Sequence, residues 1–380
     1  MADAKIVPNT EVRISADSHM AEPLDLWRQR MPERFRDRAL QWSGQRIGKG
    51  QYRREGGWEP APRLKDMAAD GVVADVLYPT RAKSVFRLDY EPEISEASAR
   101  VYNDWLIEFC SEAPDRLWGQ AMVPLWNVEN AIEEMDRCKQ AGFVGATIWM
   151  IPPEGLSFAS DHYERFWAAA ADLEMPISMH INNGFGAYSE AAGNTRTRGS
   201  DMSRIDSLSF TASGHKKITM DTLTDIICSG VLDRHPKLKV VVAEVEVGWI
   251  PFWLEELDKR TRRKDSLPLL PSEYFYRQVY ATFTEDPVGG HLLSRWGADN
   301  FMWSNDYPHP GVGDVWLFSG ALIARDLGHL SSETRAKVLR ENVAKLYGKP
   351  IPAPMPMPTE PDPSRDEWRA ERAGFYAGIS

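Results

Sequence analysis

Short apolar runs alternate with segments of helical period along most of the chain. Eight runs read as strands: residues 12–19, 76–80, 117–125, 145–151, 176–182, 238–245, 279–283 and 301–307. Between most of them apolar side chains recur every three or four positions, at 95–113, 128–141, 162–173, 219–232 and 286–296, as on a helix with one buried face. Strands that alternate with helices pair in parallel through crossover connections. Eight such units can close into a (β/α)8 barrel. A doubly wound sheet is the competing arrangement, and it more often carries a glycine-rich nucleotide loop after its first strand. No such loop follows any strand here, so a TIM barrel over residues 1–348 is the expected architecture.

Three stretches break the repeat. Residues 26–62, with Arg28, Arg30, Trp42, Trp58 and several glycines, read as an insertion above the barrel after the first strand. Residues 183–215 are rich in Gly, Ser, Asn and Arg and follow the fifth strand, where a loop of that length is usually a functional lid. Residues 349–364 (KPIPAPMPMPTEPDPS) are a proline-rich spacer leading to a terminal helix at 365–376, so 349–380 is expected to form an arm over the same or a neighbouring subunit.

Composition narrows the function classes. The chain has 380 residues, 43% hydrophobic and 26% charged, enough for a large core. A net charge of −10 argues against a nucleic-acid partner. No run is long and apolar enough to span a membrane, and residues 1–10 lack the pattern of a signal peptide. Cys110, Cys138 and Cys228 are far apart and odd in number, which fits neither a zinc knuckle nor a disulfide framework. A cytoplasmic, homo-oligomeric enzyme acting on a small molecule is the expectation.

Barrel geometry then sorts the chemistry-bearing residues. Such barrels place their sites at the C-terminal ends of the strands, and side chains two apart on a strand share a face. Asp17 and His19 therefore share a face at the end of strand one, His180 closes strand five, and Asp306 closes strand eight. Two carboxylates and two imidazoles at one mouth suit zinc, manganese or iron. Each alone has an ordinary reading: a hydrogen-bonded core histidine, or an aspartate shaping the turn before Pro308. Their coincidence on strand ends one, five and eight carries the argument. Glu244 and Glu246 share a face if both lie in strand six, and two buried carboxylates then need a cation or a proton between them. Otherwise Glu246 lies beyond the strand in solvent or pairs with an arginine. Glu22, His215 and His309 stand near the same mouth as supporting groups or extra ligands. Arg81 and Arg196 can dock an anion, and Trp149 can line an apolar wall.

The chain resembles the amidohydrolase superfamily, in the branch related to aminocarboxymuconate-semialdehyde decarboxylase, the amidohydrolase 2 family. The stretches that carry the likeness include ISADSHMAEPLDLW, SGVLDRHPKLKVVVAEVEVGWIPFWLEELD and GADNFMWSNDYPHP, and it runs from about Val12 to Gly348. The resemblance implies a metal-dependent hydrolase or decarboxylase of a small or medium carboxylated or carbonyl substrate. It implies one ion, or at most two, held by Asp17, His19, His180 and Asp306, with Asp306 and Glu244 as catalytic groups. Asp17 stands where many members have histidine, and Glu244 where family decarboxylases often have one. Glu246 replaces a small residue, and GATIWMI on strand four lacks the lysine that bridges two metals in dinuclear members. A carboxylate-rich shell including Glu246 also admits an alternative, an oxygen-using nonheme iron enzyme with two irons.

Overall fold

A computed structural model describes residues 11–41, 45–86, 91–181, 183–184, 210–261, 267–309 and 315–373. Its centre is one eight-stranded parallel sheet in sequence order. The strands are β1 (Arg13–His19), β2 (Val72–Tyr78), β3 (Leu117–Met122), β4 (Gly145–Ile148), β5 (Ile177–His180), β6 (Val240–Ala243), β7 (Val279–Phe283) and β8 (Phe301–Trp303). The ends of the sheet meet at the mouth. His19 donates its N–H to the Tyr307 carbonyl at 2.7 Å, and Asp306 donates to the Asp17 carbonyl at 3.1 Å. The result is the nearly closed (β/α)8 barrel that the alternation predicts.

Each strand is short and buried on both faces, so its side chains read as a continuous apolar run. Inside the barrel, Ile14, Ala16, Ala74, Val76, Trp118, Val241 and Met302 pack as one cluster. The helix Asn342–Tyr347 adds Val343, Ala344 and Tyr347 to it, and the Tyr347 hydroxyl accepts from Gln120 Nε2 at 3.0 Å. A larger cluster lies between the strands and the helices, among them Pro92–Ser111, Val128–Gln140 and His215–Cys228.

The strands end earlier than hydrophobicity suggests. β6 stops at Ala243 and β8 at Trp303, because side chains take over the backbone groups that a longer ladder would use. Thr282 Oγ1 accepts the Glu244 N–H at 2.8 Å, and Asp286 Oδ2 accepts those of Val247 and Gly248 at 2.7 Å. The strand expected over residues 238–245 ends at Ala243, so neither Glu244 nor Glu246 lies in it and the reading in which both share a strand face does not hold. Both adopt left-handed backbone, with φ of 60° and 57°, as does Asp306 at 55°. Non-glycine residues seldom sit there, and they collect at functional sites where surrounding structure over-determines them.

Of the insertion, Leu26–Arg30 is helical, short 3-10 turns follow, and the helix Pro60–Ala69 leads into β2. Of the proline-rich segment, residues 349–359 have no regular structure, and the helix Pro363–Arg372 docks by burying Trp368 against Trp316. Only the two ends of the segment expected to form a lid, 183–184 and 210–215, are among the described residues, and Arg196 lies outside them.

Candidate metal centre

Four side chains converge where β1, β5 and β8 end. Asp17, His19, His180 and Asp306 are all fully buried. His19 Nε2 stands 3.1 Å from His180 Nε2 and 3.2 Å from Asp306 Oδ1, and His180 Nε2 stands 3.6 Å from Asp17 Oδ2. β1 slips against β2 between Ser15 and Ser18, an irregularity of the kind that re-aims side chains beside active sites. Asn305 Oδ1 accepts from the hydroxyls of Ser15 and Ser18, at 3.0 and 3.1 Å, and this fixes the strand against the segment that carries Asp306.

The other ring nitrogens decide the tautomers. His19 Nδ1 lies 3.2 Å from the Pro79 carbonyl, and His180 Nδ1 lies 2.7 Å from the Ile181 carbonyl. A carbonyl only accepts, so each Nδ1 carries the proton and each Nε2 presents a lone pair inward. Burial, reinforced by nearby Lys83, holds both imidazoles well below the usual histidine pKa, so neither ring gains a second proton near neutral pH. Two lone pairs facing each other at 3.1 Å repel unless a cation lies between them. Two nitrogens on one ion with bonds of about 2.1 Å stand at about that separation. Asp17 Oδ1 adds a buried oxygen without a hydrogen-bond partner among the described residues. Burial and the neighbouring Glu244 push Asp17 well above the usual carboxylate range, so its charge is one that a cation would stabilise. These residues fit a divalent metal ion.

The remaining candidates divide. Glu244 reaches the cluster: its Oε2 is 3.5 Å from His180 Nε2, and it groups with His19 and Asp306 within metal-binding range. Glu246 belongs to neither group of metal-ligating side chains found among the described residues. It accepts a hydrogen bond from Thr284 Oγ1 at 3.3 Å and sits beside Asp286, and burial together with that charge pushes it up to about 8. Glu22 accepts the backbone N–H groups of Thr80, Arg81 and Ala82 at 2.9 to 3.1 Å, so both its oxygens hold the loop after β2. His309 Nδ1 is 3.7 Å from Asp306 Oδ2 at the rim. His215 begins its helix nearly buried, and burial pushes it down to about 4. Arg81 donates from Nη2 to Gln45 Oε1 at 3.0 Å. Trp149 is fully buried in an aromatic group with Phe86, Trp126 and Tyr163.

One residue was not foreseen. Lys83 lies in the 3-10 turn Ala82–Phe86, is nearly buried, and brings Nζ to 3.4 Å from His180 Nδ1. Burial lowers its pKa, opposed by Glu244, Asp17, Asp306 and Glu22. The available signal was its position: TRAK directly follows β2, at the end of the barrel where such folds keep their chemistry.

A (β/α)8 barrel with a buried histidine and carboxylate cluster at its C-terminal mouth defines a metal-dependent barrel enzyme. The chain belongs to the amidohydrolase family, whose model matches residues 17–349. It resembles a gamma-resorcylate decarboxylase of Rhodococcus jostii, 27% identical over 272 residues, which is 66% of this chain and 76% of the relative. A 2-amino-3-carboxymuconate-6-semialdehyde decarboxylase of Dictyostelium discoideum is 23% identical over 77% of both chains. Among solved structures, an amidohydrolase from Mycobacterium avium subsp. paratuberculosis superposes with a TM-score of 0.72 at 21% identity, covering 88% of this chain and 99% of that one. A dihydroxybenzoic acid decarboxylase from Polaromonas sp., with bound manganese and the inhibitor 2-nitroresorcinol, gives a TM-score of 0.62 at 20% identity over 90% and 97% of the two chains. The expected superfamily and branch are borne out: the chain is an enzyme of the metal-dependent hydrolase and decarboxylase class, with a divalent metal ion as cofactor. No described helix is long and apolar enough to cross a membrane.

Proposed function

We propose that the chain is a manganese- or zinc-dependent decarboxylase of a small hydroxylated aromatic acid, with one ion held by Asp17, His19, His180 and Asp306. The observation that carries the reading is the pair of imidazole lone pairs facing each other at 3.1 Å beside two buried carboxylates. The relatives support the substrate class: the names they carry are of decarboxylases acting on gamma-resorcylate and dihydroxybenzoic acid.

A divalent ion held by Asp17, His19, His180 and Asp306 would supply Lewis acidity toward a carboxylated substrate. The protein's own groups handle the proton. Loss of carbon dioxide from an aromatic ring needs a proton delivered to the carbon that bears the carboxylate; the carbon–carbon bond then breaks and its electron pair restores the ring. Glu244 is the group placed to deliver it. Its Oε2 stands at the cluster, its side chain is 20% exposed, and burial raises its pKa above the usual glutamate value, the direction that favours the acid form. Asp306, fully buried, is the carboxylate that would help hold the ion, and His309 Nδ1 stands 3.7 Å from its Oδ2 at the rim. Arg81, together with Arg196 outside the described residues, is offered to an anionic substituent, and Trp149 stiffens the wall behind β4.

The test is direct. Protein loaded with manganese is given 2,6-dihydroxybenzoate and related hydroxybenzoates, and carbon dioxide release is measured. Release that requires the metal and falls at least 100-fold in Glu244→Gln is the expected result. Metal-dependent ester or amide hydrolysis without carbon dioxide release from any hydroxybenzoate would move the reaction to the hydrolytic side of the family.

A further inference from the structure

A helix near the end of the chain closes over the segment that carries a metal ligand. We infer that this helix, Pro363–Arg372, braces the centre: through Trp316, Arg54 and Asp66 it fixes Tyr307, and with it the ligand Asp306 and the strand end that bears His19. The inference rests on the ligand set proposed above and adds residues that position it without ligating. The helix lies outside residues 17–349, the part that matches the family model.

Asp306 needs support from outside its own strand. β8 ends at Trp303, so Asp306 lies beyond the ladder. Its φ of 55° is a conformation that an aspartate keeps where surrounding structure imposes it. The next residue, Tyr307, makes contacts in two directions. Its carbonyl accepts the His19 N–H at 2.7 Å, which ties two ligand-bearing segments together. Its hydroxyl donates to Asp66, and the Arg63 guanidinium lies 4.8 Å over its ring. Gly56 backs that hydroxyl so closely that a Cβ there would overlap it.

The far side of this network belongs to the C-terminal segment. Tyr307, Trp316 and Trp368 are all buried and form a hydrophobic cluster of their own. Ring centroids lie 5.2 Å apart from Tyr307 to Trp316 and 5.7 Å apart from Trp316 to Trp368, both pairs edge-on. Trp316 Nε1 donates to the Asp66 carbonyl at 2.9 Å. Arg54 is the junction. It pairs with Asp66, lies 4.8 Å over the Trp316 ring, and donates to Asp362 at 2.8 Å and to the Ser364 hydroxyl. Asp362 also caps the helix by accepting the Arg365 N–H at 3.0 Å, and near the helix end Arg53 donates to Glu371 at 2.9 Å. Arg54 is only 7% exposed, and a guanidinium buried to that degree needs its donors occupied. Undocking the helix strips Arg54 of Asp362 and Ser364 and uncovers Trp316. Both of those residues touch Asp66, and Asp66 holds Tyr307, so the disturbance reaches Asp306 through a continuous set of contacts.

The test reads metal affinity, not turnover. Full-length wild type, Trp368→Ala, Trp368→Phe, Asp362→Asn and Lys65→Met are titrated with manganese alone, and free and bound ion are followed by electron paramagnetic resonance. Lys65 is the control, since its exposed pair with Glu360, at 3.6 Å, touches the same segment outside the network. Trp368→Ala and Asp362→Asn are expected to weaken binding about tenfold, the lower end of what losing a residue behind a metal ligand costs. Stoichiometry stays at one because all four ligands remain, and the bound-ion spectrum changes as Asp306 loses its fixed position. Trp368→Phe keeps a ring against Trp316 and should recover most of the affinity, while Lys65→Met should match the wild type. A reciprocal measurement needs no variant. If docking favours the ligating arrangement, bound metal favours docking by the same factor, so manganese should slow amide hydrogen exchange in the wild-type helix about tenfold. Helix exchange indifferent to manganese overturns the inference even where Trp368→Ala fails to fold. Wild-type affinity and an unaltered spectrum in folded Trp368→Ala and Asp362→Asn overturn it too, whatever their loss of stability, as does equal weakening in Lys65→Met. His180→Ala that keeps its metal defeats the ligand set itself and the brace with it, whereas a brace that fails alone leaves His180→Ala without metal.

Discussion

Two groups of buried carboxylates lie within a few residues of one another in this barrel, and they are satisfied in opposite ways. Along the seam beneath the insertion, Asp66 and Asp75 are 4% and 1% exposed, and each has an arginine. Arg63 donates from Nε to Asp75 at 2.8 Å and from Nη1 to the His19 carbonyl at 2.8 Å, and its guanidinium lies over the Tyr307 ring. Arg54 grips Asp66 and reaches on to Asp362 at 2.8 Å, tying in the C-terminal segment. At the mouth, Asp17 and Asp306 are as deeply buried, and the described groups around them include the Nε2 atoms of His180 and His19 and the Thr282 hydroxyl. Lys83 stands beside this cluster, its Nζ 3.4 Å from His180 Nδ1. Depth of burial is the same, so it cannot be what separates a structural carboxylate from a functional one. The difference lies in whether the fold supplies the counter-charge itself or leaves it to an ion.

The largest effects should come from the mouth. His180→Ala removes a neutral nitrogen ligand, and activity should drop by about 10³-fold or more, the several kcal/mol a metal contributes to a transition state. Manganese content by elemental analysis should fall well below one equivalent while circular dichroism stays that of a folded barrel. Retention of full metal content would erase the distinction between the two groups. At the seam the expected loss is of stability. Arg63→Met strands Asp75 in the interior, and breaking a buried pair from one side costs about 3–5 kcal/mol. Chemical denaturation should show that loss, with bound metal retained in the folded fraction. A cost below about 1 kcal/mol would mean that the seam is not held by its ion pairs.

Chelation should sharpen the same contrast. Ions that bind only the folded state stabilise it by about 2.7 kcal/mol at 100 times the dissociation constant. Melting of the wild type should shift upward with added manganese and return on chelation. The His180→Ala variant should be nearly indifferent to both treatments. An equal shift in both proteins would place the stabilising ion somewhere other than the mouth.

The order of elements was legible because periodicity is strong in a fold whose strands are buried on both faces. β7 has the bounds its pattern predicts, Val279–Phe283, and Asp17, His19, His180 and Asp306 come together as their strand-end positions predict. What was not legible depends on backbone conformation and on loops. β2 begins at Val72, four residues before the apolar run that announced it, because Asp75 interrupts the pattern and is satisfied by Arg63, distant in sequence. The apolar run predicts a strand through Val245 and leaves Glu246 open, and it does not reveal that Thr282 and Asp286 take over the backbone N–H groups and bend the chain. A lysine in a short polar turn is ordinarily solvated, so the sequence does not mark Lys83, whereas in the fold Glu22 grips the turn that carries it.

Glu246 offers the smallest and most selective test. It is neither gripped by arginine nor grouped with the metal-ligating side chains, so it fits neither member of the comparison. Its Oε1 accepts from Thr284, its Oε2 has no hydrogen-bond partner among the described residues, and burial beside Asp286 pushes it up to about 8. In the unfolded chain a glutamate titrates near about 4.3. Between those two values the folded protein holds a proton that the unfolded chain has lost, so stability from this group falls as pH rises through the window and is flat on either side. One proton sets the ceiling on the slope, about 1.4 kcal/mol per pH unit. Glu246→Gln copies the protonated form and keeps an oxygen for Thr284. Its melting temperature should therefore fall less steeply than that of the wild type between pH 5 and 8, the two proteins converging at the acid end and the variant being the more stable at pH 8. Other carboxylates titrate in the same range, but they are common to both proteins and cancel in the difference. Manganese stoichiometry should stay at one. If the two melting curves run parallel across the window, Glu246 is ionised in the folded protein, and if the variant also loses metal, the acidic shell extends to a second ion and the division between the two groups has been drawn one residue too tightly.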